Sequence, residues 1–345
     1  MSMTAFVFPG QGSQRVGMAD VLRQECPQLY AERFAAAEEI LRIPLAELCR
    51  EGPAETLRAM PVTQPAVFLT SVVTYEMLRE RGIEPDVVAG HSLGEFAAMV
   101  AAGVLEWTDG LRLVRLRGEL MESVNRTVPG SMGAVVGVAV GELERLCAQA
   151  RTETGEVVEI ANHNDHRQYV VSGHVDGVAR LLELAAGAGA ERVLTLEVGG
   201  SAHCSLLSGI EAEFAQALAG VTLRDPDSEV VSAVTAAPVR SAREAAECLR
   251  RQFTSRVLWA DTVLRLADGG VGRFVEVGPG KALSRLCARL CPEAEVHRTN
   301  DAARLGRLYA AAGVTTRDGA AADGSAPGSG HGTAAAGPVP GPVRG

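Results

Sequence analysis

The sequence predicts an α/β fold into which a smaller unit is inserted, and three observations carry that prediction. Short apolar runs rich in Val and Ala alternate with stretches of helical hydrophobic period along most of the 345 residues. Between about residues 128 and 198 the alternation gives way to the order β-α-β-β-α-β, the split βαβ of a ferredoxin-like unit. Beyond residue 199 the first pattern returns. Two stretches, 1–127 and 199–312, are therefore expected to build one large α/β subdomain, with 128–198 as a ferredoxin-like subdomain inserted in it.

Element by element, residues 5–8 (AFVF) read as a buried strand stopped by Pro9 and Gly10. Helical patterns follow over 16–51, broken at Pro27 and Pro44. An apolar run over 64–81 has helical period and ends at Gly82. Residues 86–90 (DVVAG) form a short apolar strand, 93–103 an Ala-rich helix, and 109–124 a helix with Arg112 and Arg115 at its polar positions, where a solvated face is expected. Inside the inserted unit, 133–140 is β-like and 141–151 helical; 157–160 and 168–172 are strands, 175–188 a helix and 192–198 a strand. Beyond it, helices are expected at 208–218, 241–253 and 281–290, with strands at 229–233 and 273–277. From about residue 315 the chain is Ala, Gly, Pro, Ser and Thr with almost no large apolar residue. Such a segment cannot bury enough surface to offset the entropy of ordering it, so 315–345 is expected to be a disordered tail.

Hydrophobic residues make up 47% of the chain but aromatics only 4%, so the core has to be built from Ala, Val and Leu. The net charge of −9 argues against broad binding to nucleic acid or anionic membranes, and neither partner is expected. The opening MSMTAFVFPGQG lacks a basic stretch followed by an apolar one, so no signal peptide is expected. No apolar run reaches the ~18–20 residues that span a bilayer. Seven scattered cysteines without a CxxC fit a reduced, cytoplasmic protein. Cys287 and Cys291, four apart on an expected helix, read as packing residues.

The chemistry is carried by Gly90-His91-Ser92-Leu93-Gly94, a G-x-S-x-G between an apolar strand and a helix. Glycines permit the sharp turn, and the serine is lifted to a helix N-terminus, where free N–H groups and the helix dipole favour negative charge on a reacting oxygen. A serine hydroxyl needs a base. His91 adjoins the serine and should point elsewhere, His163, His166 and His174 lie in the insert, and His331 lies in the tail. His203, in a loop of small residues leaving a strand, and His297, in a charged stretch, remain. The loop setting suits a side chain presented to a cleft and favours His203.

Several segments, in order across residues 4–310, resemble the malonyl-CoA:acyl-carrier-protein transacylases and the acyltransferase domains of polyketide synthases. They are FVFPGQGSQ (6–14), TQPA (63–66), GHSLGE (90–95), the LRG around Arg117, GSMGAVVG (130–137), SAHC (201–204), RQF (251–253) and EVGPG (276–280). The resemblance implies an α/β-hydrolase-like core with an inserted small ferredoxin-like subdomain. It implies Ser92 as the acylated nucleophile and His203, rather than His297, as its base. It further implies that the backbone carbonyl of Gln252 orients the histidine and that the N–H groups of Gln11 and Leu93 form the oxyanion hole. Arg117 would grip the free carboxylate of a malonyl group, which a guanidinium can do with two parallel hydrogen bonds. The implied partners are malonyl-CoA or another acyl donor and an acyl carrier protein, with the enzyme acting as a monomer. No metal and no enzyme-bound cofactor is implied, since the phosphopantetheine belongs to the substrates. A usually acidic carrier implies a basic rim near the cleft, for which residues 243–256 are candidates alongside a plain solvated face.

Two stretches depart from the resemblance. The segment 162–168 reads NHNDHRQ, with His166 where the family commonly has proline, and its HxxH with Asp165 is too loose a pattern to assign a metal. The residues before His203 are Gly-Ser-Ala, matching neither the HAFH nor the YASH of many polyketide acyltransferase domains. These small residues leave open transfer or hydrolysis of a larger acyl or aminoacyl group between carriers. A hydrolase of the esterase type would need an upstream HGGG-like loop and an acid before a late histidine, and FPGQGSQ occupies that upstream region instead. GQGSQ is no dinucleotide fingerprint, because its third glycine would fall at Arg15.

Overall fold

The computed structural model describes residues 2–314; the expected tail at 315–345 lies outside them. The described strands are, in chain order, β1 (Met3–Phe8), β2 (Val87–Gly90), β3 (Gly130–Val136), β4 (Val158–Asp165), β5 (Gln168–His174), β6 (Arg192–Thr195), β7 (Glu229–Ser232), β8 (Ala237–Val239), β9 (Val257–Leu258), β10 (Val271–Glu276) and β11 (Glu295–Arg298). They form two sheets, giving a mixed α/β architecture.

The first sheet has the order β11-β10-β1-β2-β7-β8, parallel except for β8 against β7. At its centre β1 is paired on both edges, and Ala5 to Phe8 have no exposure. Because side chains alternate across a strand, Phe6 and Phe8 enter one core and Ala5 and Val7 the other. That double burial is why AFVF reads as continuously apolar. The larger core lies against helices Met60–Glu80, Gly94–Ala101 and Trp107–Thr127.

The second sheet has the order β6-β3-β5-β4-β9, antiparallel except that β9 runs parallel to β4. Helices Val140–Thr154 and Val175–Gly187 cover one face and enclose a separate core. β9 belongs in sequence to the part of the chain after the insert. Its pairing of Val257 with Asn162 and Leu258 with His163 joins the two regions beside the cleft described below.

Several boundaries differ from expectation. β4 runs to Asp165, not 160; within the added stretch Asn164 pairs through Oδ1 with His91 Nε2, a polar partner that the apolar pattern does not report. β6 stops at Thr195, short of 198. The helix expected at 208–218 is a 3-10 segment Ser205–Ile210 followed by helix Glu211–Ala219. Helix Met60–Glu80 begins four residues before the expected start, with Pro65 inside it. Proline cannot donate to the carbonyl four residues back, and Arg115 Nη1 fills that role by donating to Pro61 O at 2.8 Å. Arg115, expected on a solvated face, is therefore partly buried, and its Nε also pairs with Glu119. Among the described residues no helix is long and apolar enough to cross a membrane.

Candidate active site

Ser92 lies two residues after the end of β2, and helix Gly94–Ala101 begins two residues later. Its φ is +53°, in the left-handed region that costs a non-glycine residue on the order of 1–3 kcal/mol. The turn fits only because Gly94 has no side chain: a Cβ there would collide with the Phe8 carbonyl of β1. The loop after β1 abuts the same turn, and a Cβ on Gly10 would lie 2.6 Å from His91 O. Among the described residues the backbone N–H groups of Gln11 and Leu93 donate to no protein acceptor. Both therefore remain available to a ligand oxygen, and the Gln11 side chain is tied to Val198 O at 2.8 Å.

His203 lies in the irregular stretch between β6 and Ser205–Ile210, with φ +56°. Its Nε2 stands 2.7 Å from Ser92 Oγ and its Nδ1 2.7 Å from the carbonyl O of Gln252. A carbonyl only accepts, so Nδ1 carries the ring proton and Nε2 turns its lone pair to the serine hydroxyl, which donates. Burial, then the charge of Arg117, pushes the His203 pKa down to about 3, so the imidazole is neutral at pH 7.

Gln252 touches both partners. Its carbonyl holds His203, while its Nε2 donates to Ser92 O at 2.9 Å and to Glu95 Oε2 at 2.5 Å. Glu95, fully buried on the first turn of the helix after Ser92, has its carboxyl pushed up to about 7 by burial. Sequence reasoning missed Glu95. The signal was there: a single carboxylate in an otherwise apolar stretch, GEFAAMVA, has to find a buried partner.

Arg117, only 2% exposed, comes from helix Trp107–Thr127. Nη1 donates to Gln64 Oε1 at 2.8 Å, Nη2 lies 3.3 Å from Ser92 Oγ, and the guanidinium sits over Phe253 at 5.7 Å. Its Nε has no hydrogen-bond partner, and among the described residues the carboxylate whose charge reaches it, Glu95, makes no salt bridge with it. Burial lowers its pKa to about 10, which leaves it charged. A buried, charged guanidinium beside the Ser92 hydroxyl, with donors left over and no salt-bridge partner, has the charge and geometry to pair with a carboxylate.

Ser92, Arg117 and His203 line a cleft of about 410 Å³ with Gln11, His91, Asn162, Asn164, Arg285 and Arg289. His91 turns away from Ser92 toward Asn164 Oδ1 (2.9 Å), edge-on to Trp259. A roomier hollow of about 790 Å³, lined by Leu218, Pro238 and Arg243, reaches none of the catalytic candidates. Arginines of the 243–256 stretch do not line this cleft: Arg250 pairs with Glu211 and Glu247 and Arg251 with Glu247, while Arg256, paired with Glu144, lines a smaller hollow of about 330 Å³ that His203 also borders. The cleft's own arginines are Arg117, Arg285 and Arg289, the last paired with Asp165.

His297 stands on β11 beside Glu295, at 2.7 Å, three strands from β2 in the sheet and so about 14 Å away at the usual strand spacing. In the HxxH stretch, His163 stacks on Tyr169 and meets Asp261 at 3.2 Å. Among the described residues no three His, Cys, Asp or Glu side chains gather as a metal site.

Residues 5–311 match the family described as the acyl transferase domain. The chain belongs to the acyl transferase family. It is 38% identical over 305 residues to a malonyl CoA-acyl carrier protein transacylase of Haemophilus influenzae, covering 88% of this chain and 97% of that one. The structure of an acyl carrier protein S-malonyltransferase from Vibrio cholerae is similar at a TM-score of 0.84 and 37% identity, covering 89% of this chain and 100% of that one. A malonyl-transacylase solved in complex with its type II polyketide acyl-carrier protein is similar at a TM-score of 0.85 and 35% identity, covering 90% of this chain and 99% of that one.

Proposed function

We propose that this acyltransferase moves a malonyl group from CoA to an acyl carrier protein through a covalent acyl-Ser92 intermediate. One observation carries the reading: the Ser92 hydroxyl lies between a neutral His203 at 2.7 Å and an unpaired, buried Arg117 at 3.3 Å. A base on one side and a carboxylate receptor on the other suit a thioester whose acyl group ends in a carboxylate.

In the first half-reaction Ser92 Oγ attacks the thioester carbonyl carbon while its proton passes to His203 Nε2. The carbonyl oxygen becomes an oxyanion facing the Gln11 and Leu93 N–H groups, each such donor contributing about 3 kcal/mol. The C–S bond then breaks, the CoA sulfur takes the proton from His203, and the acyl-serine ester remains. In the second half the carrier's phosphopantetheine thiol gives its proton to His203 and attacks the ester, and the proton returns to Ser92 Oγ as the new thioester leaves. Gln252 O keeps the His203 ring oriented and stabilises it when positive. A malonyl carboxylate on Arg117 would also offset the charge that depresses His203, making the base stronger when the intended substrate is bound.

Residues 1–127 and 199–312 are read as an α/β-hydrolase-like core and 128–198 as a ferredoxin-like subdomain. The nucleophile turn after a parallel strand supports the first, and the order β6-β3-β5-β4 with two helices on one face supports the second. Seven free thiols, six of them buried, support a reducing cytoplasm as the site of action.

The test is initial-rate kinetics with malonyl-CoA and a holo acyl carrier protein. Parallel double-reciprocal lines with malonyl-carrier as product are expected; intersecting lines, or release of CoA without malonyl-carrier, would refute the transferase reading.

A further inference from the structure

The chain passes between the two sheets twice near the cleft: helix Trp107–Thr127 leads into β3, and β6 leads back through the stretch that ends in His203. Asn125 lies where these crossings meet, eight residues beyond Arg117 on the same helix. Its Oδ1 accepts from Ser201 N at 2.7 Å and from Ser201 Oγ at 3.0 Å. Its Nδ2 donates to Ser201 O at 3.2 Å and to Met121 O at 2.9 Å. One side-chain amide therefore satisfies the N–H, the carbonyl and the hydroxyl of a single buried residue two positions before His203. The fit has no slack. A Cβ on Gly200 would collide with the Asn125 amide, and one on Gly130 would lie 2.6 Å from Ser201 Cβ. This accounts for the small residues of the Gly-Ser-Ala approach to His203, which the acyl-transfer chemistry leaves unexplained.

We propose that Asn125 is a positioning residue: by clamping Ser201 it sets His203 against Ser92 and couples the helix bearing Arg117 to the loop bearing the base. The reading rests on His203 being that base. His203 has no helix or strand to fix its backbone, and its φ of +56° is one the chain has to be held in. Apart from the clamp, the loop is pinned before His203 by the Ala202 N–H bond to Ser172 Oγ at 3.0 Å. Proton transfer tolerates little misalignment, and a shift of about 1 Å in a reacting group costs about 100-fold.

The test compares Asn125→Ala, Asn125→Asp and His203→Ala in malonyl transfer to carrier. Asn125→Ala is expected to lower kcat about 10- to 100-fold, with KM for malonyl-CoA little changed and the malonyl-over-acetyl preference intact, because Arg117 stays in place. Asn125→Asp keeps both contacts of the accepting oxygen and is expected to recover most of the lost kcat. In Asn125→Ala the acid limb of the pH profile should also move to higher pH, since a loosened His203 gains water while Arg117 and His91, the groups that act on it, are unchanged. A merely structural loss would scale the profile without moving it. Wild-type kcat in Asn125→Ala, beside an inactive His203→Ala, overturns the clamp alone; wild-type kcat in His203→Ala overturns the base assignment beneath it. Should Asn125→Ala not fold, Asn125→Asp is set against Asn125→Ser, whose hydroxyl is too short to span the same contacts, and equal kcat values overturn the proposal.

Discussion

Ser92 and His203 meet at 2.7 Å and share a left-handed backbone, φ +53° and +56°, yet they are held by different means. Ser92 is fixed chiefly by main chain, with a parallel strand on one side, a helix on the other and a glycine pressed against the Phe8 carbonyl; the one side-chain bond to its backbone comes from Gln252 Nε2. His203 is fixed by side chains and isolated carbonyls, through Gln252 O on its ring and Asn125 and Ser172 on the residues before it. Ser92 is thus built into the sheet, while His203 is hung across from it on a loop. A strained residue held by regular structure needs only a local sequence pattern. One held by a loop needs partners from distant parts of the chain.

The largest effect that would break this comparison lies in His203 itself. His203→Ala is expected to lower malonyl transfer about 10⁴-fold, about 5.5 kcal/mol in the barrier, measured with CoA release as readout. A loss below tenfold would mean that another group accepts the serine proton. The nucleophile side should respond through the fold instead. Gly94→Ala puts a methyl into backbone that cannot yield and is expected to cost about 3 kcal/mol of stability, read from urea unfolding; unchanged stability would show that the turn is looser than its geometry.

Arg117→Ala is expected to lower kcat/KM for malonyl-CoA about 100-fold, about 2.7 kcal/mol, and to leave acetyl-CoA nearly unaffected. Equal losses on both donors would assign Arg117 to the serine rather than to the carboxylate.

The most gradual effect is in the pH dependence of stability. Glu95 is raised from 4.5 to about 7, so the folded protein keeps a proton that the unfolded chain releases; that contribution is full below pH 4.5 and lost as pH rises to 7. His203 is lowered from 6.5 to about 3, so its contribution is full above pH 6.5 and lost as pH falls toward 3. Between pH 4.5 and 6.5 the two slopes oppose each other. Glu95→Gln removes the first, so its stability relative to wild type should rise between pH 4.5 and 7 by up to about 1.4 kcal/mol per unit. Parallel stability curves would mean that Glu95 is ionised in the folded protein.

The same contrast explains what was legible in the sequence. β2, the turn at Ser92 and the helix after it are local, and their strand run, glycine pair and helical period announce them. The parallel strands β1, β7 and β10 are apolar on both faces and read as short continuous runs. β9 has two residues and β8 contains Pro238, so neither shows a period, and both form because neighbouring strands offer an edge. The short helices Ala54–Arg58 and Trp259–Asp268 and the terminal pair β11 and Ala302–Ala312 also went unread, since their apolar faces are too brief to stand out from the surrounding charge. At the site, the pairing of Ser92 with His203 spans 111 positions and had no local signal beyond a small-residue loop; resemblance, not spacing, pointed to it. Glu95 and Asn125 went unread because a polar residue on a helix declares its burial only when the facing element is known.

We propose that Ser92 takes the acyl group with His203 as its base. The most direct measurement is intact-protein mass after brief mixing with malonyl-CoA, for wild type, Ser92→Ala and His203→Ala. The expected result is a single malonyl adduct on the wild type, none on Ser92→Ala, and one that forms at least about 1,000-fold more slowly on His203→Ala. An adduct of equal yield on Ser92→Ala, or wild-type acylation speed in His203→Ala, would contradict it.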